Sequence, residues 1–194
     1  MPAGEALEKL ISGCKRSDRE SQKEFYRFFY GYAMAICFRY CPNQEDAMEV
    51  VNDGFLKIFR GLDSFTPQYG NTEVSIKAWI KRIMVNVSID HCRKHAKMFS
   101  VKELQNHHLD AHVETSNSID QLSFREILAL VEKLSPTYRT IFNMFVIDGY
   151  KHEEISKCLD ISVGTSKSNL AKARMNIQKL LKEAAPYYYE QRAI

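Results

Sequence analysis

The stretch from residue 150 to 174 limits the possible folds of this chain more than any other. Ile155 and Leu159, four residues apart, predict a short amphipathic helix. A polar turn follows, in which Ser162 has the chemistry of a helix N-cap. The second helix is predicted from its apolar positions, which are Leu170, Ala173, Ile177 and Leu180. Two short helices joined by a tight turn predict a helix-turn-helix.

The side of the second helix away from this apolar stripe is polar and basic. Hydroxyl, amide and ammonium groups on one helix face can contact base edges and phosphates in a DNA major groove. Amphipathic helix pairs are also common in all-α proteins that do not bind nucleic acid. The candidate DNA contacts are Thr165, Ser166, Lys167, Asn169, Lys172 and Arg174, with Ser168 among them.

The run from Ser162 to Arg174 reads Ser-Val-Gly-Thr-x-Lys-Ser-x-Leu-x-x-Ala-Arg. It resembles the last helix of the extracytoplasmic-function sigma factors, small members of the sigma-70 family that direct bacterial RNA polymerase to promoters. The resemblance implies an all-α fold of two helical domains joined by a flexible tether, with this helix reading the minus-thirty-five element. Two positions depart from the family pattern: Lys151 replaces a Ser or Thr cap, and Asp160 replaces a frequent Gly in the turn.

Composition excludes several other classes of protein. The 194 residues suit one medium or two small domains, and a hydrophobic fraction of 45% excludes disorder throughout. Five cysteines without a Cys-x-x-Cys pair indicate neither a disulfide framework nor a zinc ribbon, so no metal and no cofactor are expected. No nucleophile-base arrangement or phosphate loop indicates an enzyme. No apolar run reaches the roughly 18 residues of a membrane span, and the N-terminus lacks a signal peptide, so a cytoplasmic location is expected.

Three helices are predicted before residue 63. The first covers 5–15, and the second runs from a cap at Ser17-Asp18 to Cys41-Pro42. Asn43 caps the third, which covers 44–62 and is expected to bury Met48, Val51, Phe55, Ile58, Phe59 and Leu62.

The third helix places its acidic residues opposite this stripe. A solvated surface is the usual explanation of such charges. The run 43–59 also resembles the sigma-factor helix that docks on the clamp coiled coil of the polymerase beta-prime subunit, although Asn52-Asp53 replaces the usual Gln-Glu. The resemblance implies core-binding roles for Asp46, Glu49, Asn52 and Asp53.

The next segment predicts a loop over 65–72 and a helix from Ile76 to about Lys97, capped by Ser75. Lys77 to Asp90 resembles the family segment that recognises and melts the minus-ten element. A basic groove with aromatic side chains can hold unstacked bases. Alternatives are that Trp79 belongs mainly to the core and that Asn86 bonds within its own helix. The candidate minus-ten residues are Phe65, Tyr69, Lys77, Trp79, Arg82, Asn86 and Arg93.

Loss of periodicity after Met98 marks the domain boundary. We expect a region 2-like domain over 1–98, a polar tether over 99–121, a region 4-like domain over 122–185, and a tail over 186–194. Ser123 and Glu126 form a capping box with Leu122 and Ile127 as its hydrophobic staple. The next helix starts at Ser135-Pro136 and ends at Gly149.

Three functions remain open from the sequence. The resemblance implies a sigma factor whose partners are core RNA polymerase, promoter DNA and an anti-sigma factor, without membrane insertion. A conventional dimeric helix-turn-helix regulator would instead use residues 1–98 for sensing or dimerisation. An interaction module that has lost DNA binding would carry a neutral reading helix, whereas residues 163–183 have five basic residues against Glu183.

Overall fold

Two separate groups of helices make up the part of the chain that the computed structural model describes, residues 4–68, 70–94 and 124–184. The chain divides into the units Met1–Lys94 and His95–Ile194. The described residues are helical with short connections and contain no β-strand, which confirms the all-α prediction. None of the described helices is long and apolar enough to cross a membrane. The predicted boundaries of the tether and the tail lie outside the described residues and stay predictions.

The first unit contains four helices: α1 (Gly4–Lys15), α2 (Arg19–Cys37), α3 (Gln44–Gly61) and α4 (Thr72–Lys94). A short 3₁₀ turn, Leu62–Ser64, follows α3. The predicted caps are confirmed: the Asp18 carboxylate accepts from the Ser21 N–H at 2.9 Å, and the Asn43 side-chain oxygen accepts from the Asp46 N–H at 2.8 Å. These side chains satisfy N–H groups that have no partner within the helix.

Helix α4 begins four residues before its predicted start. The Asn71 side-chain oxygen accepts from the N–H groups of Glu73 at 2.9 Å and Val74 at 3.1 Å, and therefore acts as the cap. Ser75, the predicted cap, lies inside the helix, where its hydroxyl donates to the Asn71 carbonyl at 2.9 Å. Asn is as good a cap as Ser, and a Ser inside a helix commonly bonds back to the preceding turn. The predicted end near Lys97 lies outside the described residues.

The buried side of α3 differs from the prediction at Met48, which is exposed, and at Phe59, which is half-buried. Its buried residues are Ala47, Val50, Val51, Gly54, Phe55 and Ile58. The side is thus centred on Val50, Gly54 and Ile58, each one turn after the other, whereas Met48 was expected to be buried and is 43% exposed. Gly54 has no side chain to mark it as a core position. The prediction from apolar spacing therefore shifted the buried side of α3 toward Met48, which lies at its edge.

Gly54 allows a close approach between α3 and α4. A Cβ atom at this position would collide with Met84 Sδ and lie 2.8 Å from Met84 Cε. Met84 is fully buried, so its side chain has no open space to move into. We expect Gly54→Ala to lower the free energy of unfolding by about 1–3 kcal/mol, the usual cost of overpacking, measured by urea denaturation.

Gly31 provides the matched control for this prediction. It also lies inside a helix, α2, but a Cβ atom there would meet nothing within 4 Å. Gly31→Ala should raise the free energy of unfolding by about 0.5–1 kcal/mol through helix propensity alone. Equal stabilisation by both substitutions would contradict a tight crossing at Gly54.

The second unit contains the helix-turn-helix. Its helices are α5 (Phe124–Glu132), α6 (Pro136–Phe142), α7 (His152–Leu159) and α8 (Val163–Ala184), and a π-helical segment, Asn143–Ile147, continues α6. Ile155 and Leu159 are buried as predicted, and so are Leu170, Ala173 and Ile177. Leu181 replaces Leu180 as the buried residue of the next turn.

Both departures from the family pattern are accommodated locally. Asp160 ends α7 in the left-handed conformation, with φ 55° and ψ 49°. Asp tolerates this region better than most residues other than Gly and Asn. Lys151 offers no side-chain acceptor as a cap, but its own N–H donates to the Glu154 carboxylate at 2.9 Å. Ser162 is confirmed as the cap of α8, since its hydroxyl oxygen accepts from the Thr165 N–H at 2.9 Å.

Candidate functional sites

The outer face of α3 carries two parallel stripes of side chains. Glu45, Glu49 and Asp53 follow one another at four-residue intervals and are all exposed, which makes the first stripe acidic. The second stripe is Met48, Asn52 and Leu56, again exposed and four residues apart. Sequence reasoning identified Glu49, Asn52 and Asp53 as binding residues but missed Glu45 and the two apolar residues, of which Leu56 is 54% exposed. We call these six residues the docking face.

Two residues, Tyr26 and His91, lie behind the outer side of α3, and the first of them hydrogen-bonds to the docking face. The Tyr26 hydroxyl on α2 donates to the Asn52 side-chain oxygen at 2.9 Å. Burial, and secondarily Tyr30, raises the pKa of Tyr26, so its hydroxyl keeps the proton that it donates. His91 on α4 is 8% exposed and lies 3.8 Å from an Asp46 carboxylate oxygen and 4.0 Å from one of Glu49. The Asn52 amide is therefore oriented before any partner binds.

The candidate minus-ten residues fall into an exposed and a packed group. Arg82, Asn86 and Arg93 are exposed on α4 as expected. Lys77 is half-buried and forms an ion pair with Glu73, one turn earlier. Trp79 is half-buried, in agreement with a partial core role. Tyr69 lies outside the described residues.

Phe65 does not form an open pocket wall as the sequence suggested. Its side chain is only 6% exposed, and its ring centroid lies 5.4 Å from that of Trp79. The Lys15 ammonium on α1 donates to the Phe65 carbonyl at 3.1 Å, which fixes the backbone at the same point. An aromatic residue beside a half-buried tryptophan gains more by packing than by exposure. Phe65 therefore anchors the loop to the helices.

The sequence prediction for the N-terminal part of α8 was wrong about which side is exposed. Thr165, Ser166 and Asn169 were expected on the reading surface, but all three are buried. They continue the apolar stripe backwards by one and two turns, because residue 169 precedes Ala173 by four positions and residue 165 precedes 169 by four. Extending the helical period backwards from Ala173 could have predicted that these positions are buried. Hydropathy could not have predicted their burial, because the residues are polar.

The side of α8 that is open to solvent carries a different set of residues. Lys167 is exposed, and Ser168, Ala171 and Lys172 are half-exposed on the same side, followed by Met175. We call these five residues the reading face. Arg174, also expected to contact DNA, has its guanidinium carbon 5.9 Å from the centroid of the Phe145 ring. Such a cation–π contact holds Arg174 on its own domain.

The buried polar residues of α8 differ in whether their side chains have hydrogen-bond partners. The Thr165 hydroxyl lies 2.8 Å from that of Ser162, and the Ser166 hydroxyl lies 2.9 Å from His152 Nδ1. The Asn169 side chain is fully buried, and neither its oxygen nor its nitrogen has a hydrogen-bond partner. An unpaired buried amide costs about 1–3 kcal/mol, so Asn169 lowers the stability of this unit.

Within the ranges that the structure describes, no cluster of His, Cys, Asp and Glu could hold a metal ion. Cys14, Cys37, Cys41 and Cys92 are buried free thiols, and Cys158 is half-buried. Burial is the main cause that raises the pKa of Cys14 and of Cys37 to about 11. These two thiols are therefore poor nucleophiles at neutral pH.

Comparison with known proteins places the docking face and the reading face in two regions of one protein family. Residues 25–98 match the family model of sigma-70 region 2, and residues 124–177 match that of sigma-70, region 4. The chain is 23% identical over 195 residues to the ECF RNA polymerase sigma factor SigW of Bacillus subtilis, covering 91% of this chain and 97% of that protein. It is 28% identical over 180 residues to the ECF RNA polymerase sigma-E factor of Escherichia coli K12, covering 82% and 87%. The chain belongs to the extracytoplasmic-function group of the sigma-70 family.

A solved structure of the sigma factor RpoE with the anti-sigma factor NepR from Bartonella quintana is also similar. The identity is 21%, the coverage is 82% of this chain and 96% of that chain, and the TM-score is 0.48. The assignment to the family does not depend on this weaker likeness.

The two sigma-70 regions divide the described surfaces between them. Region 2 contains most of α2 and all of α3 and α4, and therefore both the docking face and the exposed residues Arg82, Asn86 and Arg93. Region 4 contains α5 to α7 and most of α8, including the reading face. Helix α1 precedes both matched ranges and packs its Leu7, Leu10 and Ile11 into the core of the first unit.

Proposed function

We propose that this chain is an extracytoplasmic-function sigma factor that binds core RNA polymerase, directs it to specific promoters, and recognises and melts the promoter DNA. The observation that carries the proposal is the order of two sigma-70 regions along one chain, each with its own exposed surface. The role is one of recognition and not of catalysis. Its place of action is the cytoplasm, where the polymerase works.

The docking face suits the clamp coiled coil of the polymerase beta-prime subunit. An acidic stripe beside a stripe of exposed Met and Leu fits a helical partner whose basic residues flank an apolar seam. The charges would steer the encounter and set the register, while burial of Met48 and Leu56 would add affinity. We therefore add these two residues and Glu45 to the predicted core-binding candidates, which were Asp46, Glu49, Asn52 and Asp53, with Asp46 at the half-buried edge.

The reading face suits the major groove of the minus-thirty-five element. The Lys172 ammonium would contact phosphate, and Lys167 and Ser168 would lie nearer the base edges. The small Ala171 would allow close approach and could contact a thymine methyl group. Thr165 and Ser166 would act from inside the domain through their hydrogen bonds, and the buried Asn169 would not contact DNA.

Minus-ten recognition is assigned to Arg82, Asn86 and Arg93 on α4. The two arginines would hold the backbone of a separated strand, and the Asn86 amide offers both a donor and an acceptor to a base turned out of the stack. Phe65 would support this surface indirectly, through its contact with Trp79. We assign residues 1–98 to these region 2 functions, 99–121 to the tether and 122–185 to region 4.

Asn86→Ala tests the minus-ten assignment. If the amide reads a base edge, the substitution should relax the preference at one minus-ten position by about 1–3 kcal/mol, or roughly 5- to 150-fold. The measurement is transcription by the reconstituted holoenzyme from promoters varied at each minus-ten position. An equal loss on every promoter would show that Asn86 acts only within its own helix.

One reconstitution tests the whole proposal. Purified core polymerase and this chain should together start transcription at one defined site on a cognate promoter, which core alone does not do. A conventional regulator would instead form a stable dimer by gel filtration and would not bind core. The match of residues 25–98 to region 2 disfavours that alternative, because the same residues would have to sense a ligand or dimerise. An anti-sigma factor is the third proposed partner, and its addition should suppress the reconstituted activity.

A further inference from the structure

We propose that His152 is the positioning residue that sets how α8 presents Lys167 and Ser168 to promoter DNA. The inference rests on the proposed minus-thirty-five role of the reading face. His152 contacts no DNA in this proposal. It acts through Ser166 and through Phe145.

The His152 side chain joins three elements of the second unit. It is the first residue of α7. Its ring stacks on Phe145 of the π-helical segment, with centroids 4.4 Å apart and an interplanar angle of 27°. Its Nδ1 lies 2.9 Å from the hydroxyl oxygen of Ser166 on α8. The segment before the helix-turn-helix, its first helix and its second helix thus meet at one imidazole.

A second contact from α8 ends on the same aromatic ring. The Arg174 guanidinium lies over Phe145, 5.9 Å from its centroid. Ser166 and Arg174 are eight residues apart, or about two turns and roughly 12 Å along the helix axis. Because the His152 and Phe145 pair holds α8 at two points, it fixes both the rotation and the direction of that helix. Lys167 directly follows the first of these points, so a rotation at Ser166 moves the Lys167 side chain with it.

The protonation state of His152 agrees with this role. Burial, and then the charge of Lys167, lower the pKa of His152, while Glu153 raises it and Arg174 lowers it further. The ring is therefore neutral at neutral pH, and a hydrogen bond joins its Nδ1 to the Ser166 hydroxyl, with the donor set by the tautomer of the ring. Ser166 is fully buried, so water does not compete for that hydrogen bond.

Three substitutions separate the two contacts of His152. His152→Phe keeps an aromatic ring to stack on Phe145 but removes the hydrogen bond. Ser166→Ala removes the same hydrogen bond from the other side. His152→Asn loses the stack but restores a polar group near the position of Nδ1. Each is tested in the holoenzyme on a duplex that the wild-type holoenzyme selects from a pool randomised at the minus-thirty-five element, and on a scrambled duplex.

The readout is the ratio of the two affinities, because overall loss of folded protein lowers both affinities and leaves the ratio unchanged. His152→Phe and Ser166→Ala should each reduce the ratio by about 5- to 10-fold, the equivalent of one ordinary hydrogen bond, and the double variant should lose no more than either alone. His152→Asn should recover part of the ratio, because it restores the hydrogen bond but not the stack on Phe145. Should His152→Phe fail to fold, Ser166→Ala and His152→Asn still decide the question.

Unchanged ratios in Ser166→Ala and His152→Phe would overturn the inference, as would independent losses that multiply in the double variant. The proposed function fails in a different way. In that case the wild-type holoenzyme would select no minus-thirty-five sequence from the pool at all.

Discussion

Replacement of Glu49 and Asp53 by lysine is expected to abolish co-purification of this chain with core RNA polymerase. Both residues lie on the acidic stripe of α3 and are exposed, so each reversal places a positive charge where the partner is expected to be basic. Like charges facing each other across an interface cost several kcal/mol, and two such pairs should reduce core affinity by more than about 100-fold. The measurement is retention of the purified variant on immobilised core at physiological salt.

The fold should survive this double substitution, because exposed changes alter stability by about 0.5 kcal/mol or less. Glu20→Lys with Glu24→Lys is the matched control. Those acids are also exposed and four residues apart, but they lie on α2, where Glu20 pairs with Lys23 and Glu24 lies near Cys14 of α1. The control should bind core like the wild type. Equal retention of both double variants would rule out the acidic stripe as the polymerase contact.

The local structure of the chain was predictable because its signals are local. Asp18, Asn43 and Ser162 each accept a hydrogen bond from a backbone N–H three residues later, and this capping depends only on neighbouring residues. The start of α4 was misplaced for the same kind of reason. Asn71 and Ser75, four residues apart, can both act as caps, and the sequence does not say which of the two starts the helix.

The exposed sides of the helices were harder to predict, because burial is set by the neighbouring helices. Gly54 is buried where α4 approaches it, whereas Met48 on the same helix lies at the surface. Polar residues present the opposite difficulty, because they are expected at the surface and can be buried by a neighbouring helix. Ser166 is buried, and His152 supplies its hydrogen-bond partner. The sequence alone does not distinguish a serine that has such a buried partner from a serine that is exposed to water.

Asn169 was unpredictable for a stronger reason. A fully buried amide without partners contradicts the rule that buried polar groups form hydrogen bonds. A reader of the sequence who applies that rule places Asn169 on the surface. Phe65 shows the opposite case, since a loop aromatic was expected to be open and packs on Trp79 instead. In both cases the tertiary contacts decided the outcome.

Replacement of Lys167 and Lys172 by alanine should weaken binding to the minus-thirty-five element more than any other pair of changes in region 4. The two ammonium groups are the basic residues of the reading face, and each neutralised phosphate contributes about one unit to the slope of log K against log salt. The double variant should therefore lose about one unit of slope, from the phosphate contact of Lys172, and roughly 10- to 100-fold in affinity near physiological salt. Lys172→Ala alone should lower affinity for all sequences about equally, whereas Lys167→Ala should also reduce the preference for the selected duplex.

Asn169→Leu is the contrasting variant, because it lies on the same helix and keeps the branched shape of the side chain. If Asn169 read a base, its loss would cost about 1–3 kcal/mol of discrimination at one position. Its buried place instead predicts unchanged affinity and salt slope, together with a higher unfolding temperature, because two unsatisfied polar atoms are removed from the core. The test is a salt titration of duplex binding beside a thermal melt. A lysine pair without effect on the slope, together with an Asn169→Leu variant that loses sequence preference, would mean that α8 presents the opposite side to DNA.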